Sequence, residues 1–180
     1  MELFERRRYY FCRYCSTFHF LDGDTPDGVH VIDRGTDVAC PVCAAALATS
    51  LLDGAHAVQY CEQCRGVLVP RASFAEAVTR RRAASGPVAT PIPPDRSELH
   101  RHLACPSCRS TMDVHPYFGP GNVIIDSCAR CNLIWLDFGE LKQISEAPGA
   151  DRGAQAARPS ADDAAPVRRG PADLFKTWFD

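Results

Sequence analysis

The sequence predicts a small metal-stabilised α+β protein, with two tandem units of one β-hairpin and one short helix followed by a disordered C-terminal tail. Three observations predict it. All 10 cysteines fall in five Cys-x-x-Cys pairs. Four of those pairs form a repeat, with "CPVC" at Cys40 and "CEQC" at Cys61 matched by "CPSC" at Cys105 and "CARC" at Cys128. Beyond Ala147 the chain turns to Ala, Pro, Asp, Arg and Gly with almost no large apolar residue, a composition that does not bury enough surface to offset the entropy of ordering.

Length and charge set the bounds. A chain of 180 residues has room for one ordinary domain or two or three small ones. The N-terminal run MELFERRRYYF lacks the apolar stretch and cleavage site of a secretory signal. No window approaches the roughly 18 uncharged apolar residues of a membrane span. The expectation is a cytoplasmic protein, where paired cysteines point to metal or redox chemistry before structural disulfides. A thioredoxin-like redox centre needs one motif opening a helix inside a βαβ unit, whereas these pairs lie in hairpin-like sequence in spaced sets, which favours zinc. The formal net charge is −2. Each four-cysteine zinc site adds a further −2, so two sites take the chain to about −6, which is not the overall charge of a general nucleic-acid binder.

Residues 1–39 form an N-terminal segment carrying the unmatched pair Cys12/Cys15. The first unit, 40–84, places Leu47 to Leu52 and Ala55 to Tyr60 on either side of Asp53-Gly54, a dipeptide suited to the positive φ angles of a tight hairpin turn. Its helix begins near Pro70, with Phe74, Ala77 and Val78 as the apolar stripe. Residues 85–104 contain a Pro-rich spacer and a short capped helix from Ser97 to Leu103. In the second unit, 105–147, Val114 to Phe118 and Val123 to Ser127 flank the looser turn Gly119-Pro-Gly-Asn122. Asp137-Phe-Gly-Glu140 has capping-box spacing, with Asp137 as N-cap ahead of Leu141 and Ile144. Residues 148–172 are a disordered linker, and 173–180 an aromatic peptide whose Leu174, Phe175, Trp178 and Phe179 share one face if helical.

Each unit is too small to fold on apolar burial alone. Two knuckles separated by 17 or 19 residues close a tetrahedron of sulfurs at about 2.3 Å around one Zn2+, and such sites supply on the order of 10 to 16 kcal/mol. The ligands are Cys40, Cys43, Cys61 and Cys64 in the first ribbon, and Cys105, Cys108, Cys128 and Cys131 in the second. Two zinc ions per chain follow. A closed four-sulfur shell has no open position for water, so the expected role is structural and not catalytic.

At these residues the sequence resembles the zinc-ribbon family of bacterial proteins named after the zinc finger of transcription factor IIB. The second copy carries the resemblance best, with "CPSC", "CARC" and "IWLDFGEL" from Ile134 to Leu141. Family members usually carry a Gly two residues after the last Cys. Gly66 fills that place in the first copy and Leu133 in the second, and the first copy has "LVPRASF" where the second has the Trp-Leu-Asp run. The resemblance implies tandem zinc ribbons, eight cysteine ligands, no catalytic residue, and a family-level link to nucleic-acid binding.

Partner candidates are of two kinds. Arg6, Arg7 and Arg8, and Arg80, Arg81 and Arg82, are the local candidates for nucleic-acid phosphate contacts, with Tyr9, Tyr10 and Phe11 beside the first cluster for base stacking. The competing reading ends a helix with Arg80 to Arg82, where cations complement its dipole. Alternatively the ribbons are a scaffold for a protein partner and Leu174, Phe175, Trp178 and Phe179 are the anchor. Trp135 belongs to a small core, while Tyr117 and Phe118 are better placed for exposure. No membrane contact and no small-molecule substrate is expected, and the absence of a Ser-His-Asp set, a phosphate loop or a metalloprotease motif argues against an enzyme.

The pair Cys12/Cys15 has several fates. The repeat pairs Cys40/Cys43 forward with Cys61/Cys64. A rival pairs Cys12/Cys15 with Cys40/Cys43 through a hairpin of "STFHF" and "GVHVI". Otherwise the pair completes a third zinc site with His19 and His30, shares zinc across a dimer, stays a metal-free thiol pair, or acts as a redox-linked zinc switch.

Overall fold

The computed structural model describes residues 2–4, 9–12, 14, 17–20, 27–84 and 93–148. Strands β1 (Glu2–Phe4), β2 (Tyr9–Cys12) and β3 (Thr17–Phe20) form a three-stranded antiparallel sheet. Strands β4 (Val29–Asp33), β5 (Ala48–Leu52), β6 (His56–Tyr60), β7 (Val67–Pro70), β8 (Asp113–Pro116), β9 (Ile124–Cys128) and β10 (Leu133–Leu136) form a second sheet, in the order β4-β5-β6-β7-β10-β9-β8. Helix α1 (Arg71–Ala84) follows β7, and α2 (Glu140–Glu146) follows β10.

The hairpin turn is where the sequence places it. Asp53 and Gly54 both have positive φ, 52° and 67°, and the Ala55 amide closes the turn on Leu52 at 3.1 Å. Two positive angles in a row match the turn's twist to that of the strands it joins.

The two units do not stand apart. β7 of the first copy pairs antiparallel with β10 of the second, Val67 opposite Leu136 and Leu68 opposite Trp135. Leu68 and Trp135 occupy the same position in the repeat, four residues after the last cysteine. A local two-fold axis therefore runs through this pair, and the sequence division into 40–84 and 105–147 cuts across a continuous sheet. The first unit also recruits β4 from the N-terminal segment, with Val29 opposite Leu52 and His30 opposite Leu51.

Both faces of the junction are covered, which is why "VLV" and "LIWL" read as unbroken apolar runs. Side chains alternate across a strand. Val67, Val69, Ile134 and Leu136 join the cluster made with Phe74, Ala77 and Val78 of α1 and Leu141 and Ile144 of α2. Leu68 and Trp135 point the other way, into a second cluster with Leu47, Leu103, Met112 and the buried cysteines of both copies.

Two expected helix starts are corrected. The segment after the spacer is a 3-10 helix, Arg96–His100, capped by Asp95, whose carboxylate accepts from the Ser97 amide at 2.9 Å. Helix α2 begins at Glu140 with Gly139 (φ 90°) before it. Glu140 does reach back to accept the Asp137 amide at 2.7 Å. The Asp137 carboxylate, however, accepts from the Trp135 indole at 2.9 Å and from Arg101. A guanidinium and an indole N–H hold it in place of the helix's own amides.

Candidate metal centres

Each knuckle is a Cys-x-x-Cys turn closed by its own backbone. The Cys40 amide donates to Ala45 at 2.8 Å and the Ala44 amide to Cys40 at 3.0 Å; Cys61 and Cys105 repeat the pattern with Gly66 and Ser110. The residue after each second cysteine is left-handed: Ala44, Arg65, Arg109 and Asn132 have φ of 60°, 62°, 61° and 53°. That turn aims backbone amides at sulfur, with Val42 donating to Cys40 Sγ and Cys64 to Cys61 Sγ, each at 3.4 Å. Amide donors stabilise thiolate, the form that binds metal.

The hairpins then bring the knuckles face to face. Cys40, Cys43, Cys61 and Cys64 form one group and Cys105, Cys108, Cys128 and Cys131 the other, all sulfurs of a group lying within 4.8 Å of one another. Opposed pairs are closer: Cys40 to Cys64 is 3.6 Å, Cys43 to Cys61 3.4 Å and Cys108 to Cys128 3.6 Å. A tetrahedral Zn2+ with bonds of about 2.3 Å sets its sulfurs roughly 3.8 Å apart, so the two groups fit two Zn2+ ions. In each group two sulfurs are buried and two half-exposed.

Without the ion the thiols of a group differ. Cys43 is lowered to about 7, chiefly by the Ala45 amide, and Cys108 to about 6 by the Ser110 hydroxyl and amide. Burial pushes Cys40 and Cys64 up, and Cys105 up to about 12. Cys43 and Cys108 are thus the readiest ligands of their groups; the thiols that burial raises, Cys40, Cys64 and Cys105, release their protons against the charge of the incoming ion.

Both regions match the transcription factor zinc-finger family of TFIIB-type zinc ribbons, over residues 39–78 and 104–147. Each copy is a ribbon of that family. No curated protein and no solved structure matches the chain. The Gly noted above after the ribbon's last cysteine has a packing reason here. A Cβ on Gly66 would lie 2.2 Å from Cζ2 of Trp135, the ring that the second ribbon sends across the two-fold axis. Gly66 of the first ribbon and Trp135 of the second are complementary.

Of the six candidate nucleic-acid contacts, Arg81 and Arg82 are engaged within the protein. Arg82 is buried, 1% exposed, and donates to the carbonyls of Ile144 at 2.8 Å and Ala147 at 2.9 Å. It caps the C-terminus of α2, whose last turn has no basic residue of its own. Arg81 forms a two-pronged bond to Asp53, 2.8 and 2.5 Å, and reaches the Asp27 carbonyl at 2.5 Å. Arg80 alone of the three is largely solvent-facing, 3.9 Å from Asp53. Arg6, Arg7 and Arg8 lie outside the described residues, as do Leu174, Phe175, Trp178 and Phe179.

The N-terminal pair is placed only in part. Cys12 ends β2 opposite Thr17, and His19 sits in β3 opposite Tyr10. Cys15 lies outside the described residues. The rival hairpin is not formed, because "STFHF" pairs with β2 and "GVHVI" with β5. His30 is buried in β4, a different sheet from His19. Among the described residues the two cysteine tetrads are the sole metal-sized groups of three or more ligands.

Sequence reasoning missed a buried polar network. Arg101 bridges Asp126, which is fully buried, and Asp137, which in turn holds the Trp135 indole. Nothing in the spacing of these residues announces it. No helix of the described residues is long and apolar enough to cross a membrane.

Proposed function

We propose that this chain is a zinc-stabilised binding module whose partner is a protein, acting in transcription-related or other nucleic-acid processes through that partner and not through its own phosphate contacts. The observation that carries this reading is the internal use of Arg81 and Arg82. Cations engaged by a carboxylate and by helix carbonyls are turned inward, away from phosphate. The charge of about −6 with two zinc ions bound opposes a polyanion further. Rigid ribbons supply the scaffold, and the aromatic segment with Leu174, Phe175, Trp178 and Phe179 is the anchor, since four large apolar side chains after a polar stretch suit an apolar groove.

Two measurements test it. Fluorescence anisotropy with labelled duplex and single-stranded oligonucleotides at low salt is expected to show no affinity of the steep salt dependence that phosphate contacts produce. Replacing Leu174, Phe175, Trp178 and Phe179 by alanine is expected to abolish partner recovery while zinc content stays at two per chain. Salt-dependent oligonucleotide binding, or recovery that survives the four substitutions, sinks the proposal.

A further inference from the structure

The hairpin that carries the unmatched pair has the register of the ribbon knuckles. In the ribbons the first cysteine of a knuckle donates its amide five residues on, Cys40 to Ala45 and Cys105 to Ser110. The next rung outward joins Ala39 to Ala46 and Ala104 to Thr111, and the one after it takes the Leu47 amide to Val38 and the Met112 amide to Leu103. In β2 and β3, Cys12 stands opposite Thr17, Phe11 opposite Phe18 and Tyr10 opposite His19. Adding 28 to each of these numbers gives the three rungs at Cys40, and adding 93 gives those at Cys105. Cys15 lies outside the described residues and enters by its place in the sequence, third after Cys12, as in the other four pairs.

One position of the knuckle carries the difference. Seven residues after the first cysteine stand Leu47, Leu68, Met112 and Trp135, and all four join the cluster that contains Cys40, Cys61, Cys105 and Cys128. In the ribbons this position therefore lies on the side of the knuckle where the buried sulfurs are. In the N-terminal hairpin it is His19. The register places His19 on the face of the sheet that carries Cys12, diagonally across the strand pair, a backbone separation of about 7–8 Å that long and aromatic side chains span. Where four knuckles have an apolar side chain, the fifth has imidazole, the commonest metal ligand.

We propose that the N-terminal hairpin binds a third zinc ion through Cys12, Cys15 and His19, with the fourth position open to water. Among the described residues this sheet offers no fourth ligand on that face. Glu2 is opposite Phe11, the neighbour of Cys12 in β2, so strand alternation puts it on the other face. His30 belongs to the other sheet, opposite Leu51. Three protein ligands and a water make an exchangeable site, where imidazole or thiolate from outside can replace the water; the four-sulfur shells of the ribbons are closed to both. Two thiolates offset the charge of the ion, so the net charge of the chain does not change when it binds. With one ligand fewer, this site yields its ion to a chelator first, and chelator-washed protein holds the two ribbon ions alone.

The test adds the metal alone to the full chain. Chelator-washed protein given excess Zn2+ and desalted is expected to show a third zinc ion per chain by native mass spectrometry, on a monomer. Cys12→Ser/Cys15→Ser should hold only the two ribbon ions. Loss of a group that merely supports a ligand weakens metal binding about tenfold or more, so His19→Ala should weaken the third ion at least as much, and His19→Cys should restore it. Cobalt reads the open position. With Co2+ at all sites, the visible bands that the parent shows beyond those of Cys12→Ser/Cys15→Ser should shift when imidazole is added, and the ribbon bands should not. A parent that takes up no third ion, an ion shared by two chains, a third ion bound equally well by His19→Ala, or bands indifferent to imidazole overturns the proposal. Neither readout involves an oligonucleotide or a protein partner, so this proposal and the one above fail separately.

Discussion

Gly66→Ala tests how the two ribbons are joined. The substitution adds one methyl carbon 2.2, 2.8 and 2.9 Å from three ring atoms of Trp135. Ordinary carbon contacts begin near 3.4 Å, so the ring or the backbone of β7 must give by roughly 1 Å. Neither has room: Trp135 is fully buried, its indole is tied to Asp137 at 2.9 Å, and β7 is paired on both sides. Overpacking of this kind costs about 1–3 kcal/mol. Alanine in place of glycine returns about 0.4–1 kcal/mol through the unfolded chain. The expected net loss is about 1.3 kcal/mol, read by circular dichroism in urea at a fixed free zinc concentration, because metal binding shifts the apparent stability. Trp135→Leu removes the obstructing ring and is costly alone, but combined with Gly66→Ala it should recover at least about 1.5 kcal/mol relative to additivity. Additive effects, or a Gly66→Ala protein as stable as the parent, would refute the reasoning.

Three further perturbations follow from the same packing. Arg82→Met should cost about 3 kcal/mol in the same urea assay, because the carbonyls of Ile144 and Ala147 lose a charged donor in a buried setting; a loss below about 1 kcal/mol would mean that water replaces it. Cys105→Ser should lower zinc from two to about one per chain by native mass spectrometry and also weaken retention at the first site, since cysteines of both groups share one cluster; unchanged retention would separate the two sites. Glu140 is held up at about 9, chiefly by burial and then by Asp137 and Glu98, against an ordinary value of 4.5. The folded chain therefore keeps a proton that the unfolded chain releases, and stability declines as pH rises from about 4.5 to 9, by up to about 1.4 kcal/mol per unit. Glu140→Gln should remove that decline, and a slope that survives would place its source elsewhere.

The cysteine groups and the first hairpin are legible in the sequence because their signals are local. Cys-x-x-Cys spacing sets which sulfurs meet, and Asp53-Gly54 sets the turn. The apolar faces of both helices are legible for the same reason, Phe74, Ala77 and Val78 in α1 and Leu141 and Ile144 in α2 being where periodicity places them. What escaped is long-range competition. Asp137 has the right neighbour for a capping box, yet Arg101, 36 residues earlier, and the Trp135 indole take its carboxylate. Arg82 has the right position to complement its own helix, and instead caps a helix 62 residues away. The pairing of β7 with β10 left a trace only as unevenness in the repeat, a Gly in one copy and a Trp in the other.

That unevenness has a direction. A duplicated ribbon starts with equal copies, and an antiparallel junction through equivalent strands would place equal side chains about the axis. Here the contacts across it are one-sided. Trp135 fills the space over Gly66, the Arg65 guanidinium covers Phe138, the Phe74 ring meets Tyr117 edge-on with centroids 5.3 Å apart, and Arg82 closes α2. In each pair the residue from one ribbon has no counterpart of the same kind at the matching place in the other. Side chains fitted in this way favour one pairing within the chain over the same strand-to-strand pairing between two chains. The junction thus turns two small metal-dependent ribbons into a single body with one continuous sheet, so the zinc at each end steadies surface that the other ribbon contributes.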